Sequence, residues 1–169
     1  MFKNILFLFV ILFNAQAFDI NYKNFSSDFV QSVENAHSKI YYKGSFVITQ
    51  TKAFWDYKEP SNKQIFINNQ ELVILEPDLE QAIISTLDKV PNLSEIFKSA
   101  KRQDEQTYIA KYEQITYTMK LKNDEISSIS YKDDLDNKVL IELSNQKRDT
   151  LINEKIFKVK IPANFDILH

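Results

Sequence analysis

The 169-residue chain has no cysteine, a single glycine, four prolines and two histidines. Without cysteine there is no disulfide, no thiol nucleophile and no lipobox thiol to acylate. One glycine, Gly44, cannot build a glycine-rich phosphate loop. His37 sits in a polar connection and His169 at the last position, so neither has metal-ligand spacing or a neighbour suited to a triad. Acids are plentiful, but Asp133, Asp134 and Asp136 read as a solvated turn in preference to a calcium site. No catalytic residue, cofactor or metal site is therefore expected. Lys and Arg do not outnumber Asp and Glu, the formal charge being −2, and no basic face for nucleic acid is implied. Linkers rich in Pro or Ser, internal repeats and low-complexity tracts are also missing, which predicts one compact unit.

The N-terminus has the pattern of an export signal. Lys3 supplies a positive charge, the run ILFLFVILF is apolar, and Ala15-Gln16-Ala17 is a small-x-small cleavage site. A membrane-spanning helix needs ~20 apolar residues, more than this run offers. The sequence predicts a signal peptide over residues 1–17, cleavage after Ala17, and a single exported, soluble domain over 18–169. Cleavage removes Lys3 and no acid, moving the formal charge from −2 to −3.

What the chain does have is period-two alternation. GSFVI places Phe46 and Ile48 on one face, and AFWDY places Ala53, Trp55 and Tyr57 opposite Phe54, Asp56 and Lys58. The rhythm continues in QIFI, ELVIL, TYIAKY, QITYTMKL, ISSISY, KVLIELS and IFKVKI, many of them rich in β-branched or aromatic residues. These runs predict an antiparallel, mostly β protein. Turns are expected at Asn68-Asn69, Asn123-Asp124, Asp133-Asp134 and Asn145, since Asn and Asp tolerate left-handed backbone nearly as glycine does.

Two segments break the rhythm. After Pro77, DLEQAIISTLDK carries Leu79, Ile83 and Leu87 at i, i+4, i+8; after Pro91, NLSEIFKSAKR carries Leu93, Ile96 and Phe97 at i, i+3, i+4. Both are predicted as short helices, each with a proline and Asp78 or Asn92 as start signals. FSSDFVQSV fits a strand or a helix. Aromatics make up 13% of the chain, and two or three short helices cannot cover about nine strands. Such a sheet closes or curls, around either a filled core or an apolar cavity.

Several of these stretches, in this order, resemble the outer-membrane lipoprotein carrier family (LolA). SSDFVQSV is similar to the family's early strand, with Phe29 followed two positions on by Gln31. GSFVI comes next, then FWDYKEP with Trp55, Tyr57 and Pro60. INNQELVILEPDLEQA looks like the family hairpin leading to Pro77, Glu80 and Gln81. VPNLSEIF occupies the place of a lid helix, and FKVKIPANFDI looks like the closing strand. The resemblance covers essentially the whole mature chain.

It implies an incomplete, strongly curved antiparallel β-barrel with short helices as a lid over an apolar cavity. The ligand would be the acyl chains of lipidated lipoproteins. They would be received in the periplasm from an inner-membrane ABC-type release complex and passed to an outer-membrane lipoprotein acceptor by a monomeric carrier. Exposing acyl chains to water costs ~0.8 kcal/mol per CH₂, so such cargo needs a shield and no catalysis. By alternation, the cavity would be lined by Phe46, Ile48, Trp55, Tyr57, Ile65, Ile67, Leu72 and Ile74, and the lid by Leu79, Ile83, Leu93, Ile96 and Phe97. One departure stands out. Where the family places an arginine that looks like a latch to the lid, this chain has Thr49 or Gln50. Other readings are an acceptor-like relative, which would need an N-terminal cysteine, and a periplasmic binder of fatty acids or phospholipids.

Overall fold

The computed structural model describes residues 22–87, 99–112 and 114–169. Alternating apolar and polar side chains suit a sheet with one buried face, and the chain answers with twelve strands in a single sheet among the described residues. They are β1 (Asn24–Glu34), β2 (Lys39–Thr49), β3 (Lys52–Glu59), β4 (Lys63–Asn68), β5 (Glu71–Glu76), β6 (Gln81–Thr86), β7 (Lys101–Arg102), β8 (Thr107–Tyr112), β9 (Ile115–Lys122), β10 (Glu125–Lys132), β11 (Lys138–Arg148) and β12 (Asp166–Leu168). The spatial order is β12-β6-β5-β4-β3-β2-β1-β11-β10-β9-β8-β7. Two meanders, β1 to β6 and β7 to β11, meet where β1 pairs with β11 in antiparallel register, Phe29 opposite Leu143. FSSDFVQSV is thus a strand, at the centre of the sheet.

The sheet is open and curved, as the sequence predicts, and its edges are β7 and β12. Three register shifts help to bend it: between Ser26 and Asp28 against β11, between Lys43 and Gly44 against β3, and between Ile126 and Ser128 against β9.

Asn and Asp do take over glycine's work at the turns. Asn69 has φ 54, and Asn123 and Asp124 have φ 52 and 61, the double left-handed pattern that suits a two-residue hairpin. In the β10–β11 loop Asp136 is the left-handed residue, φ 62, rather than Asp133 or Asp134. The Asp133 carboxylate shapes that loop by accepting from the backbone N–H of Leu135 and Asn137, each at 2.9 Å, and from Asn137 Nδ2 at 2.9 Å. Asn145 is not a hairpin turn. It is left-handed, φ 53, inside β11, where the chain bulges opposite Ser27, and its Nδ2 donates to Asp28 Oδ2 at 2.7 Å.

Two further expectations are corrected. The predicted helix after Pro77 is a single 3-10 turn, Pro77–Leu79, closed by left-handed Glu80 at φ 50, after which Gln81–Thr86 runs as β6 beside β5. EPDLEQA is therefore a hairpin connection: Glu76 pairs with Gln81 across it, and Asn62 is tied to it through its N–H to Asp78 Oδ2 at 2.9 Å. IFKVKI is not a strand either. Glu154–Phe157 forms a 3-10 turn, and the extended chain after it lays Val159, Ile161 and Phe165 on the outer face of β3–β6. There they cover Phe66, Val73, Leu75 and Ala82. The chain then ends on β12, a three-residue strand parallel to β6, so the closing strand read over FKVKIPANFDI is present only at its Asp166-Ile167 end. Of the helix predicted after Pro91, residues 92–98 lie outside the described residues, as does the signal peptide, and its end is corrected: Lys101–Arg102 pairs with β8 as strand β7.

Candidate functional site

The opposite, inner face carries the main apolar cluster, with Phe25, Phe29, Phe46, Ile48, Met119, Ile126 and Ile129 buried at its centre. Register decides which side chains share this face, because residues directly opposite one another point the same way. One row runs Phe46, Trp55, Ile65, Ile74, Ile83 across β2 to β6. A second runs Ile48, Ala53, Ile67, Leu72. A third runs Phe29, Gly44, Tyr57, Lys63. All eight strand residues named from the alternation, Phe46, Ile48, Trp55, Tyr57, Ile65, Ile67, Leu72 and Ile74, thus lie on one face, as does Ile83, which reaches it from a strand and not from a helix.

The three rows differ in burial along their length. Near β1 they are filled: Phe46 and Ile48 are 3% and 5% exposed. From β3 to β6 the same rows carry half-buried apolar side chains, Trp55, Ile65, Ile67, Leu72, Ile74 and Ile83. Aromatic stacking holds the transition between the two zones. The Trp55 ring stacks on Phe46 with centroids 4.4 Å apart, and Phe29 meets Trp55 edge-on at 5.5 Å and Tyr57 at 5.0 Å. Trp55 is thereby fixed with one side on the core and the other toward the half-buried rows. Such a surface can take apolar matter without further ordering of its own side chains.

The face turns polar at one end. Beyond Tyr57 a cavity of about 250 Å³ is lined by Gln31, Val33, Tyr42, Tyr57, Ser61, Lys63 and Ile65. Tyr57 Oη donates to Gln31 Oε1 at 3.3 Å, and the Tyr42 ring stands edge-on to Tyr57 at 6.1 Å. Lys63 Nζ is paired with Glu76 Oε1 at 2.8 Å. Except for Tyr57 and Ile65, the alternation does not nominate these residues for the cavity. Gln31 was within reach of it, since it is two positions from Phe29 and so on the same face.

Burial pushes the Tyr57 hydroxyl up to about 12, with the neighbouring Tyr131 and Tyr42 adding to the rise, and Tyr131 likewise to about 12, helped by Tyr117 and Asp133. A group whose folded pKa lies above its ordinary value of 10.0 stabilises fully below pH 10 and loses that contribution as pH rises toward 12. Thermal stability should therefore be flat up to about pH 10 and fall above it. Parallel tyrosinate absorbance should show late-titrating phenols from Tyr57, Tyr131 and also Tyr22, which burial raises further, and a melting temperature that stays level to pH 12 would contradict this.

The remaining named residues fall elsewhere. Leu79 is 61% exposed in the β5–β6 turn and does not lie on the inner face. Leu93, Ile96 and Phe97 lie outside the described residues. Thr49 is engaged in its own turn, where its hydroxyl accepts from the Lys52 N–H at 3.0 Å, and Gln50 is exposed beside it.

The family model "Outer membrane lipoprotein carrier protein LolA" matches residues 21–160. An outer-membrane lipoprotein carrier protein of Campylobacter jejuni is 45% identical over 166 residues, 98% of each chain. One of Helicobacter pylori is 31% identical over 147 residues, 86% of this chain and 80% of the relative. Among solved structures, a LolA superfamily protein from Nitrosomonas europaea is similar in fold, with a TM-score of 0.53 at 11% identity over 82% of this chain and 91% of that one.

Proposed function

This chain belongs to the outer membrane lipoprotein carrier family, and on that premise we propose that the inner face of β2–β6 is the surface that shields the acyl chains of a lipoprotein in transit. The observation that carries the reading is the half-buried apolar zone from Trp55 to Ile83, continuous across four strands and rigidly backed at Trp55 by Phe46. Each methylene covered there is worth ~0.8 kcal/mol, so a chain of ordinary length is held firmly without a covalent bond or a cofactor. The carrier works in the periplasm after cleavage behind Ala17. It is loaded by an inner-membrane ABC-type release complex, unloads to an outer-membrane acceptor, and acts as a monomer. The place of the family arginine is taken by Thr49 and Gln50, and a neutral donor there is roughly half as strong as a charged one.

The test is release of lipoprotein from spheroplasts into the supernatant by added mature protein. A soluble one-to-one complex is expected. Trp55→Glu, which puts a charge in the middle of the apolar row, should lower the yield at least about tenfold while leaving the protein folded. A folded wild-type protein that releases no lipoprotein but extracts free phospholipid would replace this reading with that of a small-lipid binder.

A further inference from the structure

Resting on the carrier reading, we propose that the polar end of the inner face is a second subsite, which binds the carbonyl oxygens of the ester and amide bonds joining acyl chains to their head. An acyl chain on the rows of Trp55 and Ile67 must begin somewhere. Its linkage carries acceptors and, in the case of an ester, no donor, so burying it without a donor costs free energy.

The structure gathers donors in a cavity at one end of these rows, while the other end has the exposed Ser85 opposite Leu72. Toward the β2–β3 turn the rows finish on Ile48, Ala53, Ile67 and Leu72. Toward the other end they finish in the cavity lined by Gln31, Tyr42, Ser61 and Lys63, each of which can donate, and by Tyr57, whose one O–H is given to Gln31. Among the described residues Gln31 Nε2 has no hydrogen-bond acceptor, while its Oε1 accepts from Tyr57, which orients the amide group. The Tyr57 hydroxyl is largely buried and stays protonated throughout the neutral range. The cavity's about 250 Å³ suits a linkage and its first few atoms, not a folded polypeptide. Tails then lie along the β3–β6 rows, and the head leaves over the loop held by Asn62 and Asp78.

Ester carbonyls occur both in diacylglyceryl-cysteine lipopeptides and in phospholipids, and the experiment separates the two. Purified mature protein is titrated with a synthetic dipalmitoylglyceryl-cysteine peptide, with a dipalmitoyl phospholipid, and with N-phenylnaphthylamine as an apolar probe without carbonyls. The lone tryptophan, Trp55, reports binding. Gln31→Leu and Tyr57→Phe keep the shape of the cavity and remove donors or their anchor. Each should weaken the lipopeptide about tenfold and shift the apolar probe by less than twofold. Equal loss for both diacyl ligands supports a linkage subsite common to lipids, and loss for the lipopeptide alone supports one selective for lipoprotein. Unchanged affinity for both, or parallel loss for the apolar probe, overturns the subsite while leaving the carrier reading intact. A wild-type protein that binds the apolar probe but neither diacyl ligand overturns the carrier reading itself, and the subsite with it.

Discussion

Gly44→Ala should cost about 3 kcal/mol and lower the melting temperature by roughly 10 °C, a large effect for one methyl group. The glycine is not there for its backbone: among the described residues every left-handed one is Asn, Asp or Glu, and Gly44 does not have positive φ. It is there for space. A Cβ at this position would press directly on the backbone carbonyl oxygen of Asp56 on β3 and come within 2.9 Å of Phe29 Cζ. The first contact is with backbone, at the point where the β2–β3 register shifts, so it cannot be relieved by a rotamer change. That gives a sharper test than the single variant. Shortening the ring in a Phe29→Leu, Gly44→Ala double variant should fail to restore stability, since Asp56 remains in place. Chemical denaturation of the two single variants and the double variant measures the coupling, and full recovery in the double would place the clash on Phe29 instead.

Phe29→Ala is expected to cost 3–5 kcal/mol, the range for a buried phenylalanine. Phe29 is 2% exposed and its ring touches those of Phe46, Trp55 and Tyr57, with centroids at 6.3, 5.5 and 5.0 Å. Removing it opens a void at the base of the apolar rows, lets Trp55 tilt, and exposes its indole to water. The urea midpoint should drop accordingly and the tryptophan emission of the folded protein should move to the red. A loss below about 1 kcal/mol with unchanged emission would mean that Phe46 alone positions Trp55.

Most strands were legible in the sequence because one face of each is buried and the other is not. The helix predicted after Pro77 fails for an instructive reason. Leu79, Ile83 and Leu87 stand four apart, and a spacing of four satisfies a period of two as well as one of 3.6. The β-branched pair Ile83-Ile84 and Thr86 decide for a strand. IFKVKI shows the converse. Its alternation reports extended backbone, but Ile156 and Phe157 close a 3-10 turn, and alternation says nothing about whether a neighbouring strand is present to pair with the rest. Strand β12 carries no signal of its own, being three residues long and fixed by Glu80, whose carbonyl accepts from the Asp166 N–H at 2.8 Å. Asn145 is legible as left-handed but not as a bulge, because that depends on β1, far away in the chain. The inner face follows from parity alone, so Phe46 to Ile74 fall together. The donors Gln31 and Lys63 share that parity with Phe29 and Ile65, but Ser61, outside the strands, does not follow from it.

The meeting of β1 with β11 bears on the order in which the molecule assembles. Within each meander every strand pairs with its predecessor across a short connection, so both can zip up as hairpins while the chain is still being made. The joint between them unites segments roughly a hundred residues apart and carries the largest loop-closure entropy in the antiparallel part of the sheet. Until Lys138–Arg148 arrives, β1 stands with one edge bare and its phenylalanines uncovered. In its unfinished state this carrier of greasy cargo is itself a sticky polypeptide in need of a partner strand, and it finds one in its own distant sequence.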